Sequence, residues 1–478
     1  MSRLTKIKLI LISILFLVIP LVTSADYLGQ KAIFFVDPSY DVYARTQVFA
    51  TLKRVFGQIY FYIEDDWWNS LTIDKQNGVN VALEDLTNEF GSKIYPTLTS
   101  IFGSEPKPGI DKDEKITILI HPIIDGAGGY FNTGDGYPKI QNPKSNEREM
   151  VYLNAKYIAL PIANSFLAHE FTHLITFNQK DILRGVSEET WLNEARAEYA
   201  PTFLGYDDTE GSNLQKRVKE FLKDPSDSLT EWENKASDYG AVSLFIQYLV
   251  DYYGAGILAD SLKSDKVGIP SLNYALQKNG FKDDFSKIFT DWTITVLVND
   301  CSLGEKYCYK NPNLKNFKIV PQINFLPLTG ETVLAVTNVT KNWAGNWQKF
   351  IGGKGNLTLE FNGADEVNFK VPYVVCDYTE KCSVNFLTLD KEQKGEIIFS
   401  DFNTKHSSLT IIPSIQNKIS GFDGKESSYS FSFRVTISER SGGEEIELRE
   451  KLLAQIEFLK KEIARVQAQI QAVLGGSS

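Results

Sequence analysis

The sequence predicts a multidomain α+β protein, with an α+β N-terminal subdomain, a mostly helical subdomain after it, an all-β sandwich and a C-terminal coiled-coil helix. Length is the first reason, since 478 residues exceed one ordinary core and correspond to about three units at roughly 150 residues each. The second is a change of apolar period, helical between residues 160 and 325 and close to two from 326 to 438. A heptad pattern near the end of the chain is the third.

Taken in order, residues 1–25 carry Arg3, Lys6 and Lys8, then an uncharged, apolar run from Leu9 to Val22, then Thr23-Ser24-Ala25. A basic start, an apolar centre and small residues at the end predict a cleaved signal peptide. The run of 14 residues is shorter than the roughly 20 a membrane helix needs, which disfavours the alternative of an uncleaved anchor, and no later stretch is long enough to span a bilayer. Over 26–160, strands are expected at 32–36, 115–120 and 150–155, and 43–56 has helical apolar spacing. The glycine-rich loop at 125–130 does not lead from a strand directly into a helix, so it resembles no phosphate-binding pattern.

Residues 161–325 read as helical, with long amphipathic stretches at 241–253 and 285–298. The sandwich at 326–438 rests on alternating runs such as 356–361 and 429–435, separated by Gly, Asn and Asp turns. Ser441-Gly442-Gly443 is a hinge, and in the coiled-coil helix expected over 444–475 the residues Leu452, Ile456, Leu459, Ile463, Val466, Ile470 and Val473 follow steps of four and three. Isoleucine at a with Leu or Val at d is the pattern of parallel dimers, so a homodimer is one expectation, and a lone surface helix or a stalk are the others.

The apolar content of 43% is that of a packed protein. Loss of the leader leaves 47 basic against 60 acidic residues, a net charge of −13, which disfavours nucleic acid and anionic headgroups as partners. The four cysteines form two close pairs, Cys301 with Cys308 and Cys376 with Cys382, and in an exported chain these predict two short disulfide loops, with free thiols as the alternative. Their spacings do not suit a zinc site of their own. The expected location is secreted, extracellular or at the cell surface.

The chemistry is concentrated in His169-Glu170-Phe171-Thr172-His173, whose two histidines, at i and i+4, project from one helix face toward one ion. Phe166, Leu167, Phe171, Leu174, Ile175 and Phe177 surround it, so the helix is expected to be buried. A buried histidine pair needs partners, and binding zinc through neutral imidazoles supplies one; two core histidines satisfied by neighbours is the plainer reading. A third ligand is available 20 residues on at Glu194, and Glu198, one turn further, is placed to orient a ligand histidine unless it is a solvated carboxylate paired with Arg196 or a lysine.

H-E-x-x-H followed by Trp191-Leu192-Asn193-Glu194 and then Ala197-Glu198 resembles the gluzincin metallopeptidases, a group with the zincin fold that includes the thermolysin-like enzymes and the zinc aminopeptidases. The chain is most similar to the hyicolysin-like neutral peptidases among them, over roughly 115–260, including the segment from Ser145-Asn146-Glu147 to Tyr152-Leu153-Asn154. The resemblance implies a secreted zinc metallopeptidase acting on protein or peptide, with one catalytic Zn2+ on His169, His173 and Glu194, Glu170 as general base and Glu198 as orienting carboxylate. It further implies Tyr239 as a donor to the tetrahedral intermediate, against the alternative of a core-facing tyrosine. The 20-residue gap is slightly longer than in the aminopeptidase and thermolysin groups, and the segment that reads a free amino terminus in the aminopeptidases is absent, so an endopeptidase is expected. The strand at 150–155 either presents an edge to an extended substrate, with Asn154 contacting its backbone, or is internal. A non-catalytic surface scaffold built on an inert peptidase fold is the competing reading, and the intact Glu170 argues against it.

Overall fold

Residues 25–422, 424–438 and 445–474 are described by a computed structural model, and they fall into two compact units. Of the described residues, the first contains 25–91 and 106–163; the second contains 92–105 and those from 164 on. The expected signal peptide, apart from Ala25, and the glycine hinge at 441–443 lie outside the described residues.

Unit 1 is built on a six-stranded mixed sheet. Its order is β1 (Lys31–Phe35), β2 (Gln47–Phe56), β3 (Ile59–Glu64), β4 (Ile116–His121), then β6 (Met150–Asn154) and β5 (Gly129–Tyr130). β3, β4 and β6 run parallel, and all six residues of both β3 and β4 are buried, as expected of central strands covered on both faces. Helices α1 (Asp65–Ser70) and α2 (Ile73–Glu89) follow β3.

The helix expected over 43–56 is instead strand β2. Val48, Ala50 and Leu52 alternate into the core while Phe49 is 66% exposed, so period two wins over a spacing that Leu52, Val55 and Phe56 also make compatible with a helix. Pairing with β1 and β3 on either side supplies the backbone partners that decide it.

Unit 2 begins with α3 (Tyr95–Phe102), a segment the sequence groups with the N-terminal region. Leu98 and Phe102 are fully buried, and Tyr95 stacks on Phe171 at 5.6 Å, which holds the helix in this unit. Then come α4 (Ala163–Phe177), α5 (Thr190–Phe203), α6 (Asn213–Lys223), α7 (Ala236–Tyr253), α8 (Gly256–Leu262), α9 (Gly268–Lys278) and α10 (Phe285–Val298). Among the described residues no single helix is long and apolar enough to cross a membrane.

The β region of unit 2 runs β7 (Gln322–Leu326), β8 (Thr332–Lys341), β9 (Gln348–Gly352), β10 (Gly355–Gly363), β11 (Phe369–Cys376), β12 (Cys382–Leu387), β13 (Lys394–Phe402), β14 (Ser408–Ile411), β15 (Ser414–Ile415) and β16 (Ser428–Ser438). One sheet has the order β13-β10-β16-β8, the other β12-β11-β14-β9-β7 with β15 on β11. Phe350, Leu357, Leu359, Phe361, Leu409, Phe433 and Val435 from both sheets share one core, the alternation that makes a sandwich. Trp343, 2% exposed, sets its ring against Phe285 and Phe289 of α10 at 4.8 and 5.3 Å, and the Trp347 indole donates to the Thr293 carbonyl at 2.9 Å. Both cysteine pairs form disulfides, Cys301–Cys308 and Cys376–Cys382. The C-terminal helix α11 (Glu445–Leu474) is continuous over 30 residues.

Candidate metal centre

Every residue of the centre lies in unit 2. Helix α4 is buried over most of its surface, with Leu167, Ala168, Phe171, Leu174 and Ile175 at most 2% exposed and His169 partly open. It continues into a π-turn, Asn178–Ile182, where the Asn178 amide donates to the Ser104 carbonyl at 2.7 Å. Helix α5 carries Trp191, Leu192, Ala195 and Ala197 into the same core, which turns Glu194 and Glu198 toward α4.

His169 Nε2 and His173 Nε2 are 3.1 Å apart, and Glu194 Oε2 lies 3.3 Å from the first and 3.5 Å from the second. A tetrahedral zinc ion with bonds of about 2.0–2.1 Å requires its ligand atoms to be about 3.3–3.4 Å from one another, and these three distances straddle that value. Glu194 Oε2 is buried, makes no hydrogen bond of good geometry and is met only by the two imidazoles, so a cation shared by all three would satisfy it. The donor set therefore fits a zinc-type cation. The ligand atoms of His169, Glu170 and His173 also lie within 4.8 Å of one another, so Glu170 is within reach of the same point.

Electrostatics separate the two carboxylates. Burial pushes Glu170 up to about 6, against the pull of the two histidines, which keeps a proton acceptor close to neutrality. Burial also acts on Glu194, but the neighbouring imidazoles outweigh it and hold the carboxyl well below the usual range. His173 is desolvated too, yet Glu194 and Glu170 raise it to about 9, so in the absence of a metal these carboxylates compensate a proton on this ring.

Behind the ligands, each histidine has its own acceptor. His169 Nδ1 lies 3.4 Å from Glu198 Oε1, and His173 Nδ1 lies 3.1 Å from Asn193 Oδ1. A ring whose Nδ1–H is engaged presents Nε2 as its lone-pair donor, which is the tautomer a metal needs. Glu198 is 1% exposed, so it is not the solvated carboxylate of the plainer reading, and its partner is Arg217 of α6 rather than Arg196. Arg196, fully buried, pairs with Glu188 at 2.6 Å, and the Lys180 ammonium donates to the carbonyls of Ser261 and Ser264. Just ahead of α5, Glu189 accepts from the Trp191 indole and from the backbone N–H of Gly421 in the sandwich, both at 2.8 Å.

Two expected site residues have other occupations. Asn154 is 2% exposed and its amide donates to the carbonyls of Ile123 (3.1 Å) and Ala127 (2.8 Å), so it fastens a loop inside unit 1. Strand β6 is internal, with β4 on one side and β5 on the other, which corrects the expectation of a free edge with Asn154 as substrate contact. Tyr239 starts α7 and is only partly buried, with its ring 4.4 Å over the Arg217 guanidinium and its hydroxyl donated to Asn234 at 3.1 Å. It is therefore not core-facing, and it touches the residue that anchors Glu198. Sequence reasoning missed Asn193, Asn213 and Arg217. Asn193 had a signal in its position beside Glu194; the other two, about 20 residues further on, had none.

No family model matches the chain, and no curated protein matches it. Solved structures share only weak likeness. The pre-peptidase C-terminal domain of a collagenase from Bacillus anthracis aligns over 24% of this chain and 96% of its own at 8% identity and a TM-score of 0.16. PliG of Aeromonas hydrophila, a periplasmic inhibitor of g-type lysozyme, covers 25% of this chain and 100% of its own at 10% identity and a TM-score of 0.16. A family GH115 4-O-methyl-alpha-glucuronidase covers 68% of this chain and 51% of its own at 10% identity and a TM-score of 0.14. At such scores none of them bears on fold or function.

Proposed function

We propose that the chain is an exported zinc endopeptidase of the gluzincin type, hydrolysing peptide bonds in protein or peptide substrates. The observation that carries the reading is the triangle of His169 Nε2, His173 Nε2 and Glu194 Oε2, with sides of 3.1, 3.3 and 3.5 Å and a buried carboxylate oxygen at one corner that makes no hydrogen bond of good geometry. Zinc held there would act as a Lewis acid, lowering the pKa of its water and polarising the scissile carbonyl.

The rest of the chemistry falls to the chain's own groups. Glu170, buried and raised toward neutrality, accepts the proton of the attacking water and passes it to the leaving amine. Glu198 and Asn193 keep His169 and His173 in the metal-binding tautomer, and Arg217 keeps Glu198 ionised. Tyr239 is the candidate donor to the tetrahedral oxyanion, a role for which its hydroxyl has to leave Asn234. The two disulfides and the basic-apolar-small N-terminal pattern favour an extracellular location.

Zinc content of the purified protein, measured together with cleavage of denatured casein before and after chelation, tests the reading. One zinc per chain with chelator-sensitive cleavage is the expected result. Zinc without cleavage of any unfolded protein would favour the scaffold reading, and absence of zinc would remove the proposal.

A further inference from the structure

Helix α11 was expected to be apolar along one seam, and in the structure that seam is split. Taking Ile456 as a heptad a position, the residues that touch the sandwich are at c and g: the Gln455 amide donates to the Tyr378 hydroxyl at 3.3 Å, Phe458 meets the Tyr378 ring at 6.2 Å, and Glu462 pairs with Lys349 at 3.1 Å. Further on, the Gln469 amide donates to the Lys318 carbonyl at 3.2 Å. Leu459 and Val466, at d, lie beside this docked face and are half-buried.

The a positions are left out. Ile456, Ile463 and Ile470 are 45, 55 and 49% exposed, and Leu453, at the adjoining e position, is 57% exposed. Packing on the chain's own sandwich therefore leaves about half of each of the three isoleucines exposed along one line. A strict seven-residue recurrence of a β-branched side chain is not what a twisted sheet surface selects; it is the period that keeps one line of knobs facing a second helix. The flanks suit a like partner too, since Lys460 is already neutralised by Glu457 on the same helix at 2.8 Å and neither imposes an unpaired charge on the ridge.

We propose that this ridge is a self-association surface, on which α11 of a second copy packs through Ile456, Ile463 and Ile470 while each helix stays docked on its own sandwich. Four apolar side chains per copy make a small contact, below the ~1,200 Å² of a stable interface, so the dimer forms with a concentration-dependent midpoint rather than permanently. The inference does not depend on the peptidase reading.

Sedimentation of the full-length mature protein from about 1 to 200 µM reads it directly, in the range where a contact of this size is half-formed. The weight-average mass is expected to climb from one chain toward two, and in Ile456→Gln/Ile463→Gln/Ile470→Gln to stay at one, with a melting temperature equal to that of the wild type at the low end of the range, where both are monomers. Ile463→Cys supplies a second readout that leaves the other two isoleucines in place: all four described native cysteines are in disulfides, so mild oxidation should give a covalent dimer through residue 463. A wild-type chain that stays monomeric over the whole range overturns the proposal. A triple variant that still dimerises overturns it as well.

Discussion

Arg217 grips Glu198 with two prongs, Nη2 to Oε1 at 2.6 Å and Nε to Oε2 at 2.9 Å, while the same Oε1 lies 3.4 Å from His169 Nδ1. The Asn213 amide donates to the same Oε2 at 2.7 Å. The carboxylate behind His169 is thus itself fixed and charge-balanced by a helix that supplies none of the three candidate ligands. Arg217→Met should weaken zinc binding by about 10–100-fold, because Glu198 loses its fixed orientation, and should destabilise the fold by about 3–5 kcal/mol through an unpaired buried charge. Competition against a chromophoric chelator and a urea titration give the two numbers, and Arg217→Lys should recover part of both. Unchanged zinc affinity would detach Arg217 from the site.

Glu170→Gln should keep one zinc per chain and lower turnover by at least about 10²–10⁴, since the amide keeps the shape and loses the proton acceptor. Metal content and casein cleavage measured on one preparation separate the two effects. A variant that retains full turnover would exclude Glu170 as the base.

Lys180 makes a pH prediction away from the ligands. Burial, with Arg196 and Arg184 adding to it against the pull of Glu188, lowers its ammonium from 10.5 to about 8 in the folded chain. Between pH 8 and 10 the unfolded chain therefore holds a proton that the folded chain has released, and stability rises with pH. The stability of the wild type relative to Lys180→Met should increase by up to about 1.4 kcal/mol per pH unit across that window and be flat below it. A pH-independent difference in chemical denaturation would contradict the assigned shift.

Trp343→Ala should cost about 3–5 kcal/mol, as it empties a buried site lined by Phe285 and Phe289. Because that site joins the sandwich to α10, unfolding of the wild type should show the helical and β parts of unit 2 melting together, and the variant should begin to separate them. Two well-resolved transitions in the wild type would mean that the junction carries little energy.

Strong periodicity was readable: 285–298 is helical over the range expected, and β1, β4 and β6 fall within a residue or two of their predicted bounds. The segment at 43–56 looks helical because Leu52, Val55 and Phe56 follow helical spacing while Val48, Ala50 and Leu52 alternate, and only its neighbouring strands decide between the two. Residues 92–105 were grouped by sequence proximity, whereas the burial of Leu98 and Phe102 assigns them to unit 2. At the centre, the sequence named His169, Glu170, His173, Glu194 and Glu198 because local helical spacing aligns them. Arg217 and Asn213 come together with Glu198 through tertiary packing alone, and no short-range pattern announces that. The heptad was visible, but which of its faces the chain uses for itself depends on Tyr378 and Lys349, about 80 and 110 residues earlier.

The hydrogen bond from Gly421 to Glu189 gives the sandwich a hand on the helix that bears Glu194, whose first residue follows Glu189 directly. For anyone building chimeras, the β-sandwich is consequently not an interchangeable cargo module. A graft cut at its first strand would leave the helix of Glu194 with a loose collar, and a transplant would have to bring along the 421 loop to preserve that helix's register.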